Sequence, residues 1–287
     1  MLDLALSILC SSLIFVIFKL FEVYKVETLY AIITNYIVAS LVGLYFYVDT
    51  VSLNGIIEKP WIWATMALGF FFILVFNIMA KTAQKIGVSV ASVATKMSLV
   101  IPVAVGVIAY QESLSFLKIT GIFLALCAVY FVSVKQGGIS LSKKELLLPI
   151  LVFLGSGTID ASINYFQETQ LQTHEFSLFS SIVFAAAALT GFIFILLNWT
   201  KKPLRPNFRN ILGGLGLGIP NYFSIFFLLK ALQNGALNSA SIFTINNVAI
   251  VMFSTFLGIL LFKEKLTGKN WGGIAMAIVS ILLVVLY

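Results

Sequence analysis

The sequence predicts an all-α polytopic membrane protein, ten transmembrane helices arranged as two inverted five-helix repeats. Three observations carry that expectation. Of 287 residues, 60% are hydrophobic and 10% charged, with a mean hydropathy of +1.06, whereas an ordinary soluble domain has about 25% charged residues. The apolar residues fall into runs of the length that crosses a bilayer core, roughly 20 residues each. The second half of the chain also repeats the first. In a bilayer every peptide group must find its partner within the protein, which leaves helices or a closed barrel. Runs this long and continuously apolar are unlike the alternating segments of about ten residues that build a barrel.

Read between charged or Pro/Gly/Asn-rich breaks, the ten spans cover residues 4–21, 28–48, 60–82, 88–110, 114–134, 146–167, 175–199, 210–232, 238–262 and 270–287. Span 1 has no basic leader and no small-residue cleavage site, so it reads as the first membrane helix and not as a signal peptide. Span 3 sets Asn77, Lys81 and Gln84 at helical spacing, and span 4 does the same with Ser89, Ser92 and Lys96. Spans 5 and 10 have almost no polar interior residues, as expected of helices that face lipid or a partner subunit. In span 6, Ser156, Asp160, Asn164 and Gln167 follow at steps of four, four and three, which is one face of a helix. Span 8 carries Pro220, Asn221 and Tyr222 after "GGLGLG", the mark of a broken or closely packed helix. Its Gly213, Gly214, Gly216 and Gly218 read as a packing face, because no P-loop lysine follows them. Span 9 places Asn238, Ser241, Thr244 and Asn247 at steps of three, with Asn246 beside them.

The formal net charge of +7 does not point to nucleic acid, since basic residues in a membrane protein report orientation first. Let end A be the end of the bundle that holds the N-terminus and end B the other. The junctions at end B hold Lys19, Lys25, Lys81, Lys85, Lys135, Lys143, Lys144, Lys201, Lys202, Arg205, Arg209, Lys263, Lys265 and Lys269; those at end A hold Lys59, Lys118 and Lys230. This asymmetry places end B in the cytoplasm of an inner-membrane protein, with both termini outside. Cys10 and Cys127 fall inside spans and read as packing residues, not as a disulfide. His174 is the single histidine and has no cysteine near it, so no metal site is expected.

The chain repeats internally. "KTAQKIGVSVAS" from Lys81 matches "KALQNGALNSAS" from Lys230, offset by 149 residues. Each is followed by a long apolar helix, then by Glu112 or Glu264 near its end, then by a last helix starting near Gly121 or Gly272. The chain therefore divides at 1–137 and 138–287, two halves of five spans. Five is odd, so the second half sits upside down relative to the first, and such folds place substrate near the midplane between the halves. Glu112 and Glu264 themselves read as interfacial residues at span ends.

A ten-span chain of this length, with two such halves and a P-x9-E feature from Pro102 to Glu112, resembles the EamA group of the drug/metabolite transporter superfamily. The resemblance covers the whole chain. The second half departs from the pattern: Ser254 stands where the proline would be, and three extra residues separate Ser241 from Glu264 relative to Ser92 and Glu112. From Gly235, "GALNSAS" is also similar to the "GALNK" signature of nucleotide-sugar transporters, with Ser239 in place of the lysine. The resemblance implies a central cavity lined by spans 1, 3, 4, 6, 8 and 9, and substrate moved by alternating access. It also implies cytoplasmic termini, against the charge asymmetry.

A charge at the centre of a spanning helix costs about 2.5 to 3.5 kcal/mol on insertion scales. Lys96, about 12 Å into span 4 by helical rise, and Asp160 are the two ionisable residues clearly remote from both membrane surfaces. Two roles fit them. In one, Lys96 meets the anionic end of a solute, as the resemblance implies for the family's transporters of phosphorylated compounds, and Asp160 binds an amino end or carries a coupled proton. In the other they form a neutralising pair that joins the halves, a costly way to join helices that Leu and Gly could join. The first reading makes the chain a secondary active transporter of a small polar organic solute, an amino acid or related metabolite being favoured. Its expected substrate-binding residues are Lys96, Asp160, Asn164, Asn77, Asn221, Tyr222, Asn246, Asn247 and Ser92. No cofactor is expected beyond proton coupling, and the expected partners are the solute and membrane lipid, with the chain a monomer or weak homodimer. The alternative is a lipid flippase or a non-transporting structural membrane protein. No Ser/His/Asp set, metal cluster or carboxylate pair sits at membrane depth, so an enzyme is not expected.

Overall fold

A computed structural model describes residues 1–47, 53–110, 115–133, 143–171, 175–197, 207–233 and 239–286. Its helices are α1 (Leu2–Val23), α2 (Thr28–Tyr45), α3 (Leu53–Ile57), α4 (Ile62–Lys85), α5 (Val88–Met97), α6 (Val100–Tyr110), α7 (Phe116–Val132), α8 (Lys143–Thr169), α9 (Phe176–Leu197), α10 (Phe208–Gln233), α11 (Ser239–Phe262) and α12 (Gly268–Leu286). Among the described residues, nine helical stretches are long and apolar enough to cross a membrane, and the apolar α7 is a shorter tenth. They occupy the ten spans read from the sequence, with the five-span halves running in opposite senses.

Span 4 differs from its expectation as one helix. It breaks at Ser98–Leu99 into α5 and α6. The cause is Pro102, which has no N–H to give the Ser98 carbonyl and whose ring crowds that carbonyl. The Ser98 carbonyl accepts instead from the Ile101 N–H at 2.9 Å, one residue short of the α-helical partner. Span 8 holds a proline too, yet α10 runs unbroken through Pro220. Its glycines do pack closely. A Cβ on Gly214 would stand 2.6 Å from the Ala31 carbonyl oxygen, and one on Gly218 would stand 3.0 Å from that of Asn35. These contacts bring α10 against α2, while Gly216, on another face, has open space.

Spans 5 and 10, expected to face lipid or a partner, also face each other. A Cβ on Gly273 of α12 would lie 2.6 Å from the Val132 backbone nitrogen of α7. Ser280 Oγ donates to the Gly121 carbonyl at 2.7 Å, and Asn270 Nδ2 donates to that of Val132 at 2.8 Å. Their outer faces remain apolar and exposed at Phe123, Leu126, Trp271 and Val279. Cys10 and Cys127 are free thiols.

Two caps cross the chain's halves or its turns. The Asn210 side chain, at the start of α10, accepts from the Glu27 N–H at 2.9 Å and so caps α2. α1 ends with Lys25 in the left-handed region at φ 53 and Val26 N–H returning to the Phe21 carbonyl at 2.8 Å, a turn that satisfies the last carbonyls of the helix. The main core runs through the bundle from Ile14, Phe15 and Phe18 to Ile250 and Ile281. A second, smaller cluster at end A gathers Trp61, Leu68, Leu178, Phe179 and Val183. Beside it Lys59 is paired with the buried carboxylate of Glu175.

Candidate functional site

The break in span 4 sets the site. α5 ends one residue after Lys96, so the lysine stands where the helix gives way, half-buried at mid-span. Two residues on, the buried Ser98 turns its hydroxyl to the Thr95 carbonyl at 2.6 Å and lies 3.5 Å from Asp160 Oδ2 of α8. Lys96 and Asp160 feel each other's charge across this junction. No nitrogen–oxygen distance between them is within 4.0 Å. Among the described residues the ion pairs within 4.0 Å are Lys19–Glu22 and Lys59–Glu175.

Exposure along α8 shows what lies between them. Leu147, Leu151, Leu154 and Tyr165 are exposed on the face turned to lipid. Asp160 and Asn164 are exposed as well. Asp160 follows Leu151 by nine residues, about two and a half turns, so it stands on the opposite face, toward the bundle. An exposed carboxylate on an inner face at mid-span marks an open, polar cleft.

The cleft has one mouth. Along the inner stripe of α8, Ser156 is buried toward end B while Asp160 and Asn164 are exposed toward end A. On α5, Ser89 and Ser92 are buried beneath the half-buried Lys96. α11 repeats the gradient from the other half: Phe243 is exposed, Asn247 half-buried, and Ile250, Val251 and Ser254 are fully buried. On these faces the residues near mid-span are more exposed than those one to two turns nearer end B.

Helix packing agrees. α5 packs against α1, α4, α7, α8, α11 and α12, whereas α6 makes its substantial contacts, among the described residues, with α8. At end B, α1, α4 and α5 are gathered together. Gln84 Nε2 of α4 donates to the Phe18 carbonyl and to Thr28 Oγ1, both at 3.0 Å, and Lys19 Nζ reaches the Gln84 carbonyl. Phe18, wholly buried, meets Phe76 edge-on at 5.7 Å.

The other expected residues are distributed around this cleft, not all within it. Asn77 is half-buried and its amide donates to its own helix at the Ile73 carbonyl, 2.7 Å away. Ser92 is fully buried and donates to the Ser89 carbonyl at 3.0 Å. Asn221 is buried between α10 and α2, donating to Asn35 Oδ1 at 3.1 Å. Tyr222 stacks on Phe46 at 5.8 Å, on the flank of the α2–α10 pair. Asn246 is buried where α11 meets α1 and α10: Ser7 Oγ lies 3.2 Å from Asn246 Oδ1 and 2.8 Å from the Ser224 carbonyl. Asn247 stands on the inner face of α11, half-buried. Thus Lys96, Asp160 and Asn164 come together, with Asn77 and Asn247 on neighbouring helices, while Asn221, Asn246 and Ser92 sit in helix contacts. Glu112, His174 and Asn238, and the side chains of Gln167 and Ser241, lie outside the described residues.

Sequence reading missed two features of the site. One is Ser98, whose position beside Asp160 follows from the break at Pro102, a signal that was present in the chain. The other is Glu264. Its carboxylate, from the turn after α11, accepts from the Val88 N–H at 2.6 Å and from Ser89 Oγ at 2.8 Å, capping the first turn of α5. Its place at a span end gave no sign of a partner some 175 residues away.

Ten spans in two opposed halves define a polytopic membrane protein, and a family match makes it one of the transporter class. The EamA-like transporter family model matches residues 1–134 and 147–286, and the chain belongs to that family. A relative from Haemophilus influenzae, an uncharacterized protein, is 29% identical over 97% of this chain and 96% of its own length. A protein of known crystal structure superposes with a TM-score of 0.62 at 15% identity, covering 98% of this chain and 94% of that one. At that identity the likeness is one of fold.

Proposed function

We propose that this chain is a secondary active transporter that moves a small polar organic solute, an amino acid or related metabolite, across the inner membrane by alternating access. The observation that carries the reading is the separation of Lys96 from Asp160. Each charge costs about 2.5 to 3.5 kcal/mol to place at mid-span, and a structural pair would recover that by closing to contact. Held apart in an open cleft, they suit a zwitterion, its carboxylate toward Lys96 and its ammonium toward Asp160. Asn164, Asn77 and Asn247 supply uncharged polar contacts around it. Asp160 is also the group at this depth suited to carry a coupled proton. With the basic loops of end B in the cytoplasm, the termini are outside and the cleft faces outward. The chain works as a monomer or weak homodimer within membrane lipid.

The test is solute flux in proteoliposomes, screening zwitterionic, anionic and cationic metabolites against the unaltered protein, Lys96→Ala and Asp160→Asn. Each variant is expected to lose transport about tenfold or more, the effect of one charged contact, while keeping its melting profile in detergent. Undiminished transport in both folded variants, or lipid scrambling in place of solute flux, would remove the proposal.

A further inference from the structure

We infer that Glu264 is a latch between the two halves, holding end B closed and released each time the cleft opens there. The inference rests on the alternating-access reading above. Its geometry is specific. Beyond Val88 and Ser89 Oγ, the carboxylate lies 3.4 Å from the Ser89 N–H, so it covers the first free donors of α5, where a helix N-terminus favours negative charge. Two glycines make room for it. A Cβ on Gly258 would come 2.7 Å from Glu264 Oε2, and one on Gly87 3.0 Å from Oε1, with Gly87 at φ +149, where other residues are strained. The turn that aims it is itself unusual: Lys263 takes φ 54, and the Glu264 N–H returns to the Gly258 carbonyl at 3.2 Å. A non-glycine residue in that region is held there by its surroundings.

The inverted repeat says why this contact must break. α5 and α11 are counterparts in the two halves and meet at end B through Glu264. At end A, where the cleft is open, α6 and α11 make no substantial contact among the described residues. The state open at end B exchanges these arrangements, so the first turn of α5 and the end of α11 must separate. By contrast, the hydrogen bonds of Gln84 and Lys19 tie α1, α2 and α4 within one half and can persist. Glu264 therefore biases the equilibrium, because its bonds exist in one state only.

The test reads conformation directly. In a background lacking Cys10 and Cys127, single thiols are introduced by Ser92→Cys, under the floor, and by Asn164→Cys, in the open cleft. Their modification rates by a charged methanethiosulfonate reagent are compared in nanodiscs for the unaltered Glu264, Glu264→Gln and Glu264→Ala. Losing the charged contact is expected to speed modification at the Ser92→Cys site about tenfold and to slow it at the Asn164→Cys site. Unchanged rates at both sites would overturn the latch. So would a rise at both, the signature of a helix cap whose loss merely loosens the fold. The reciprocal shift in a chain that moves no solute would keep the latch and fail the transport reading, so the two stand or fall separately.

Discussion

Two trios of helices occupy equivalent places in the inverted repeat and behave differently. α1, α4 and α5 are packed together at end B, where Gln84 and Lys19 join α1 to α4 and Phe18 is wholly buried. Their counterparts α8, α10 and α11 stand apart at end A: among the described residues, α8 makes no substantial contact with α10 or α11, and α10 barely touches α11. One architecture, written twice, thus holds two conformations at once. The difference has a covalent trace in the fourth span of each half, broken by Pro102 in α5 and α6 but continuous through Ser254 in α11. A cleft open at one end follows from the unequal trios, and exchanging their conformations would open the other.

The strongest challenge to this asymmetry is Pro102→Ala, which restores the N–H that the Ser98 carbonyl lacks and removes a term of about 3 kcal/mol against a continuous helix. It should raise the melting temperature in detergent and depress transport by straightening α5 into α6. Transport at the normal rate in that variant would show that the break is incidental. Next in size is Gly214→Ala, whose new methyl group would meet the Ala31 carbonyl and should cost about 1 to 3 kcal/mol through overpacking. Gly216→Ala, one turn face away in open space, is its control, with a stability change expected within about 0.5 kcal/mol. Equal effects from the two in a thermal melt would contradict the α2–α10 contact. Gln84→Ala removes two neutral hydrogen bonds, one to α1 and one to α2, and should cost about 1 to 2 kcal/mol without a reciprocal shift between thiols introduced by Ser92→Cys and Asn164→Cys, because these bonds lie within one half and persist in both states.

The smallest effect concerns the end that stays open. Lys59 lies outside the spans, and its hydrogen bond to Glu175, with the attraction of that carboxylate, raises its pKa above the ordinary 10.5. A group whose pKa rises on folding stabilises the fold fully below its unfolded value and loses that contribution as pH climbs through the folded one. Glu175→Gln should therefore lower the melting temperature modestly at pH 8, and the gap should narrow as pH passes 10.5. A gap that stays constant across that range would deny the ion pair any part in it.

How much of this was legible in the chain depends on the range of each interaction. The spans were readable because bilayer solvation acts on local composition, and the α8 stripe was readable because Ser156, Asp160 and Asn164 share one face by helical period alone. The glycines of α10 announced a close approach, although not that Gly216 would be left out of it. What eluded the sequence were contacts set by how distant helices meet. Asn221 and Asn246 look like cleft residues on a helical wheel, yet the crossing of α10 with α2 and of α11 with α1 turns them toward Asn35 and Ser7. Glu264 looks interfacial until α5 is brought beneath it. The pairing of α7 with α12 was hidden likewise, since two apolar helices with small residues suit lipid and each other equally.

The most direct measurement is sided thiol modification of the protein with its native Glu264, in the background lacking Cys10 and Cys127, with Asn164→Cys and Ser92→Cys placed singly in oriented membrane vesicles. A charged reagent applied at end A should modify the Asn164→Cys site rapidly, and the same reagent at end B should leave both sites slow, with an accepted zwitterionic solute protecting the first. Rapid modification of the Ser92→Cys site from end B, or equal rates from both ends at the Asn164→Cys site, would contradict a cleft that opens at one end above Lys96 and Asp160.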